Sequence, residues 1–497
     1  MEITKMTETQ AEIAGIKPDA KQTKISARRA HALDALRGIA ILGMILSGSI
    51  PFSGVAVLPA WMYHAQVPPP DHIFNPGLPG ITWVDLVFPF FLFAMGAAIP
   101  LAMTKRIKAC VPVWKLILQL LERGLLLAGF AIYIQHIKPY SISSDPDTWV
   151  RLISLLGFVL VFPMILRLPA TMKPAYKVII RIAGYLGAVI LLSQLRYADG
   201  SGFLVTRSDI IILVLANVAF FGGVIWLFTQ NNVLLRLGLL AFYLALRLTQ
   251  NVEGSWNLLI WYATPAAWLY KLYYLQYLFI VIPGTIIGDM ILKWMNSGES
   301  AIVTNTRATK TKYSLTAVLI LLCLVINLYG LFTRALFYTL IADVIICIAG
   351  YLLLNKPENE TGKLYKSLFN WGTYWLLLGL FFEAFEGGIK KDKSTLSYYF
   401  VTTGLAIFTY IAISICIDCF QKKKYFSLLI DSGQNPMIAY IAGSNFIMPV
   451  LAFTSLITVL NNLMVNPWLG FLKGLIFTML VALTAAFFTR RKLFWRT

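Results

Sequence analysis

An all-α fold, a polytopic transmembrane bundle of about 11–14 spans, is what this sequence predicts. Three observations predict it. The 497 residues are 58% hydrophobic and 13% charged, with a mean hydropathy of +0.72, whereas soluble domains carry about 25% charged residues. Long apolar runs recur from end to end, and a bilayer-spanning helix needs about 20 such residues. The net charge of +19 is gathered in short loops and the two tails, with roughly 29 Lys and Arg on one side against about 11 on the other. Backbone groups in hydrocarbon must be satisfied within their own segment, so the runs should be helices. Barrel strands would be shorter and would alternate in polarity. The charge therefore reads as topology, with no nucleic acid as partner.

Residues 1–30 hold Lys17, Lys21, Lys24, Arg28 and Arg29 but no apolar signal-peptide core, and read as a cytoplasmic tail. Spans are expected near 33–50, 81–103, 114–134, 149–167, 177–195, 209–229, 233–249, 271–294, 314–332, 335–354, 367–386, 397–420, 434–455 and 468–488. Pro436, inside the thirteenth, suggests a broken helix, as does Pro283-Gly284 in the eighth. The Ser/Thr/Asn-rich stretch 296–313 reads as a flexible cytoplasmic linker. Residues 31–490 then form a single membrane domain, with 491–497 as a cytoplasmic tail. The expected location is the cell inner membrane, multi-pass, with the N-terminus cytoplasmic.

The outer segment 51–80 holds Pro51, Pro59, Pro68, Pro69, Pro70, Pro76 and Pro79, a density that excludes a helix. It also carries Trp61, Tyr63, His64, Asp71 and His72. Histidine moves protons near neutral pH, so His64 and His72 make this loop a candidate site. Ionisable residues within spans are costly and often functional. Asp34 and Arg37 are three apart and can pair. Asp85, Glu122, Arg123, Arg247, Asp289 and Asp343 lie in or near other spans, and Glu383 and Glu386 are expected on one face. The cysteines Cys110, Cys323, Cys347, Cys416 and Cys419 avoid the outer loops, so no disulfides are expected. There is no Walker, dinucleotide-glycine, H-E-x-x-H or G-x-S-x-G motif.

The stretches LDALRGIAILGM at 33–44 and TWVDLVFPFFLFAMG at 82–96 resemble the paired signature of the heparan-alpha-glucosaminide N-acetyltransferase family. The matching positions are Asp34, Arg37 and Gly38, then His64 and Ala65, then Asp85 to Pro89. Arg123, TLSYYFVTTG at 395–404 and GQNPMIAY at 433–440 are also similar. Two departures stand out. The family's Trp-Asn-Gly after His-Ala gives way to the Pro-rich stretch 66–80, and Ser47, Gly48 and Ser49 stand where the family has an asparagine.

The resemblance implies about eleven spans and a transferase that moves acetyl from acetyl-CoA to an amino sugar or sugar hydroxyl across the membrane. It gives His64 the catalytic place. By position, Asp85 is expected to orient His64, and Arg37 and Arg123 to meet the phosphates of coenzyme A. Asn435 or Ser397 is expected to steady the thioester oxygen, and His72, Glu386 and Ser397 to face the acceptor. The expected partners are the lipid bilayer, acetyl-CoA and an amino-sugar or glycan acceptor; a homodimer is allowed, and no metal is expected. A transporter for a sugar or sugar-derived solute is the alternative, suited by broken helices and intramembrane charges. A scaffold for envelope polysaccharide is a third reading.

Overall fold

A backbone in hydrocarbon satisfies its N–H and C=O groups most readily as a helix, and the apolar runs are helical throughout. The computed structural model describes residues 29–52, 57–297, 307–462 and 466–495. Its main helices are α1 (His31–Ser47), α2 (Trp83–Lys108), α3 (Val113–Ile137), α4 (Thr148–Ile165), α5 (Pro174–Gln194), α6 (Ile210–Thr229), α7 (Val233–Leu248), α8 (Trp256–Tyr262), α9 (Leu278–Met295), α10 (Arg307–Phe332), α11 (Leu336–Leu354), α12 (Glu360–Phe381), α13 (Leu396–Ser414), α14 (Ser427–Gln434), α15 (Pro436–Ala442), α16 (Met448–Phe453), α17 (Leu456–Asn461) and α18 (Pro467–Arg490). The unit formed by His31–Thr497 is compact. Among the described residues, pairing between extended segments is confined to an isolated bridge from Leu166 to Trp495.

Eleven helical segments among the described residues are long and apolar enough to cross a membrane. The helices α1 and α7, with 17 and 16 residues, are too short to count, and α12 opens on Glu360, Lys363 and Lys366. Each of the three nevertheless runs between the two ends of the bundle. Arg37 in α1 reaches the carbonyl of Gly433, while Ser47 lies at the opposite end beside the main cavity. In α7, Arg236 pairs with Asp289 at 2.8 Å near the end of α9, and Arg247 reaches Glu386 at the cavity. Thr361 at the start of α12 accepts from Trp294 in the last turn of α9, and the chain beyond α12 arrives at Glu386. Helices of this kind can run the length of the bundle because packing against neighbours replaces the apolar surface they lack.

The centre is built from α1, α2, α9 and α13, and α13 is buried along its whole length. The α2–α9 crossing is close. A side chain on Gly284 or Gly288 would strike the carbonyls of Phe93 and Ala97, and one on Gly96 would strike the carbonyl of Val281. Small residues at such a crossing let two backbones approach.

Two sequence expectations change and a third holds. No break occurs at Pro283-Gly284, since α9 is continuous through Pro283; flanking helices hold a helix across one missing N–H. The break at Asn435-Pro436 is present, with Asn435 between α14 and α15, Pro436 opening α15 and a π-helical turn following at Gly443–Ile447. The linker expected over 296–313 is shorter, because α10 begins at Arg307. Residues 298–306 and 1–28 lie outside the described residues.

Candidate functional site

The described part of the Pro-rich loop, 51–52 and 57–80, has one 3-10 turn at Ala60–Met62 and hydrogen-bonded turns closed by Val67, His72 and Leu78. Tyr63 anchors it. Its side chain is buried, and its hydroxyl donates to the Pro51 carbonyl at 2.8 Å and accepts from the Leu58 N–H at 3.1 Å. The Thr82 hydroxyl donates to the Tyr63 carbonyl at 2.6 Å. His64 is thereby fixed above the start of α2.

Thr82 caps α2, and Asp85 completes a capping box. Asp85 Oδ2 accepts from the N–H groups of Thr82 at 2.9 Å and Ala65 at 3.2 Å. A carboxylate in the first helical turn meets free N–H groups and the positive end of the helix dipole. Its other oxygen, Oδ1, is buried, makes no hydrogen bond, and stands 3.3 Å from His64 Nδ1 and 3.8 Å from Lys391 Nζ.

The opposite ring nitrogen, His64 Nε2, lies 3.2 Å from Asp392 Oδ2. His64 Nδ1 accepts the Gln66 N–H at 3.0 Å. That bond favours the neutral ring with its proton on Nε2, donated to Asp392. A second proton, on Nδ1, would meet Asp85. The hydrogen bond from His64 and the charge of Lys391 hold the Asp392 carboxyl below the usual carboxylate range, partly opposed by burial. Gln66 locks the two loops together. Its side chain donates to the carbonyls of Asp392 and Pro76 and accepts the Asp392 N–H at 2.8 Å.

Asp392 and Lys391 form part of the wall of a cavity of about 1540 Å³. Ligand pockets commonly measure about 300–1,000 Å³. Contributing to the wall are the end of α1, the loop at Pro76 and Gly77, the starts of α2 and α6, the end of α7, the segment 250–277 and the loop 386–395.

The structure brings some of the sequence candidates together. His64 and Asp85 are adjacent, and Glu386 lies in the cavity wall, accepting from Arg247 at 2.7 Å and from the Leu396 N–H at 2.7 Å. Ser397 is buried nearby but donates to Glu383 at 3.1 Å. Glu383 pairs with Arg334, so the two glutamates diverge instead of sharing a face, because α12 ends at Phe381. His72 packs edge-on against Tyr63 and Phe52, with ring centroids 4.5 and 5.5 Å away, and braces the loop.

The three donor-site candidates lie elsewhere. Arg37 donates to the carbonyls of Gly433 and Ala94 at 3.1 and 3.3 Å and sits 3.6 Å from Asp34, tying three helices together. Asn435 is buried and holds the C-terminal segment through Leu493 and Trp495. Arg123 is exposed on α3.

Sequence reading missed Gln66, Lys391 and Asp392. Asp392 is 328 residues from His64, and its only local signal was three lysines beside it. A family model described as Domain of unknown function (DUF5009) matches residues 29–291. That stretch holds His64, Gln66 and Asp85 and stops short of Lys391 and Asp392. No curated protein matches the chain.

Proposed function

The chain belongs to the DUF5009 family, and for this membrane bundle we propose a multi-pass acyltransferase that moves acetyl from acetyl-CoA to an amino sugar or sugar hydroxyl at the extracytoplasmic face. The observation that carries the reading is His64, set between the carboxylates of Asp85 and Asp392, the second of which lines a cavity of about 1540 Å³. The resemblance of the His64 and Asp85 stretches to the heparan-alpha-glucosaminide N-acetyltransferase family supports it.

The acceptor displaces Asp392 from Nε2. The ring proton moves to Nδ1, where Asp85 takes it as partner. The acceptor nitrogen or oxygen attacks the thioester carbonyl, its proton passes to Nε2, the new bond to carbon forms and the carbon–sulfur bond breaks. The imidazolium then returns a proton to the departing thiolate, giving free coenzyme A. Base assistance of this kind contributes about 10²–10⁴-fold. Arg37 and Asn435 are engaged in holding helices, so neither enters the mechanism.

The test uses purified protein in nanodiscs with labelled acetyl-CoA and a panel of amino sugars. His64→Ala is expected to lower transfer by about 10²-fold or more, with wild-type yield and monodispersity. Wild-type rates in His64→Ala would overturn the assignment. The break at Asn435-Pro436 favours the transporter alternative. Solute counterflow in proteoliposomes without coenzyme A, indifferent to His64→Ala, would establish that reading instead.

A further inference from the structure

The cavity wall is rich in cations and in hydrogen-bond donors whose capacity is not used. Arg247, Lys271, Lys390, Lys391 and Lys393 line it, against Glu386 and Asp392. Both acids are already taken, Glu386 by Arg247 and Asp392 by His64. Among the described residues Lys271, Lys390 and Lys393 make no ion pair. Two buried donor atoms in the same wall, Arg247 Nη1 and Gln276 Nε2, make no hydrogen bond. Buried donors without acceptors are costly, and uncompensated cations around a concave space attract anions. A wall so supplied with donors calls for a ligand that is nearly all acceptor.

The wall also touches a membrane-interface element. The helix α8 is 7 residues long, too short to span, and places Trp261 and Tyr262 in the wall. Its other residues Trp256 and Leu259 are 69% and 71% exposed. Tryptophan and tyrosine on a short apolar helix mark the level of the lipid headgroups.

We propose that this cavity takes a phosphate-bearing saccharide as the acceptor, with the phosphate held by Lys390, Lys393 and Arg247 and the sugar presented toward His64. This deepens the acyltransferase reading of the same site and rests on it. The phosphate belongs to the acceptor and not to coenzyme A, because the cavity opens at the end of the bundle that carries residues 51–80, away from the side where the donor is made in that reading.

Binding to the full chain in nanodiscs, followed by intrinsic tryptophan fluorescence without acetyl-CoA, tests this. The probes are glucosamine, glucosamine 1-phosphate, its dodecyl phosphodiester and coenzyme A. The phosphorylated sugars are expected to bind at least about tenfold more tightly than glucosamine, with the preference weakened by salt and lost in the double variant Lys390→Gln/Lys393→Gln. Tighter binding of the dodecyl ester than of the free phosphate would make the acceptor lipid-borne; equal binding would make it soluble, still within the proposed class. Equal affinity for phosphorylated and plain sugar overturns the proposal. So does a preference for coenzyme A that the same double variant abolishes, which would give the lysines to the donor. Lys271→Gln, further along the wall, repeats the measurement if the double variant loses its monodisperse profile. A protein that binds these sugars with the stated preference and acetylates none of them would sink the transferase reading and leave the anion site standing.

Discussion

Asp392 has two neighbours, His64, which hydrogen-bonds it at 3.2 Å, and the cation of Lys391 adjacent in sequence, and they hold its carboxyl below the usual range. A carboxyl whose folded value is depressed adds stability above its unfolded value of about 3.9 and loses it as pH falls through the folded value. Asp392→Asn is therefore expected to lower the thermal midpoint at neutral pH, and the gap to wild type is expected to close as the pH drops below about 4. A gap that stays constant down to that acidity would show that the carboxylate does not hold the two loops together. Asp85 differs in kind. Its Oδ2 is committed to the helix start, leaving only Oδ1 for the ring.

Among the elements, the α2–α9 crossing supports the site most directly, because α2 begins with the Asp85 cap and α9 follows the segment that lines the cavity. At Gly288 a side chain would meet the backbone of Ala97, which cannot move aside, whereas at Gly238 in α7 there is open space. Overpacking typically costs about 1–3 kcal/mol. Gly288→Leu should lower the detergent melting midpoint and the yield, while Gly238→Leu should change neither. Equal behaviour of the two variants would refute the close crossing. The short α8 contributes differently, presenting Trp256 and Tyr262 outward while Trp261 is buried.

At the scale of the whole molecule, helix ends of alternating direction meet at one cavity, and this argues for a chain that crosses repeatedly with residues 51–80, 250–271 and 386–395 on a single side. The excess of Lys and Arg on the other loops predicts that side to be the exterior. In a cysteine-free background, Asp71→Cys should react with an impermeant maleimide in intact cells, and Lys423→Cys only after permeabilisation. The reverse pattern would invert the topology and place His64 in the cytoplasm.

Much of the fold was legible in the sequence because hydrocarbon imposes a local rule: an apolar run of sufficient length must be a helix. Even the Asp34–Arg37 pair and the break at Pro436 follow from spacing and from proline chemistry. Half of the candidate site was legible too, since His64 and Asp85 flank one loop and one helix start. The backbone partners of Arg37 and Asn435 were not legible, because an intramembrane polar group needs a partner and nothing local tells a carbonyl on another helix from a ligand. What the sequence by itself determined about this protein is a helical membrane chain with a proline-rich loop carrying two histidines. Only the tertiary structure decided that Asp392 and Gln66 close on His64 and that unpaired lysines ring the cavity beside it. Those contacts join segments more than three hundred residues apart, and their energy lies in packing and hydrogen bonds that no local pattern encodes.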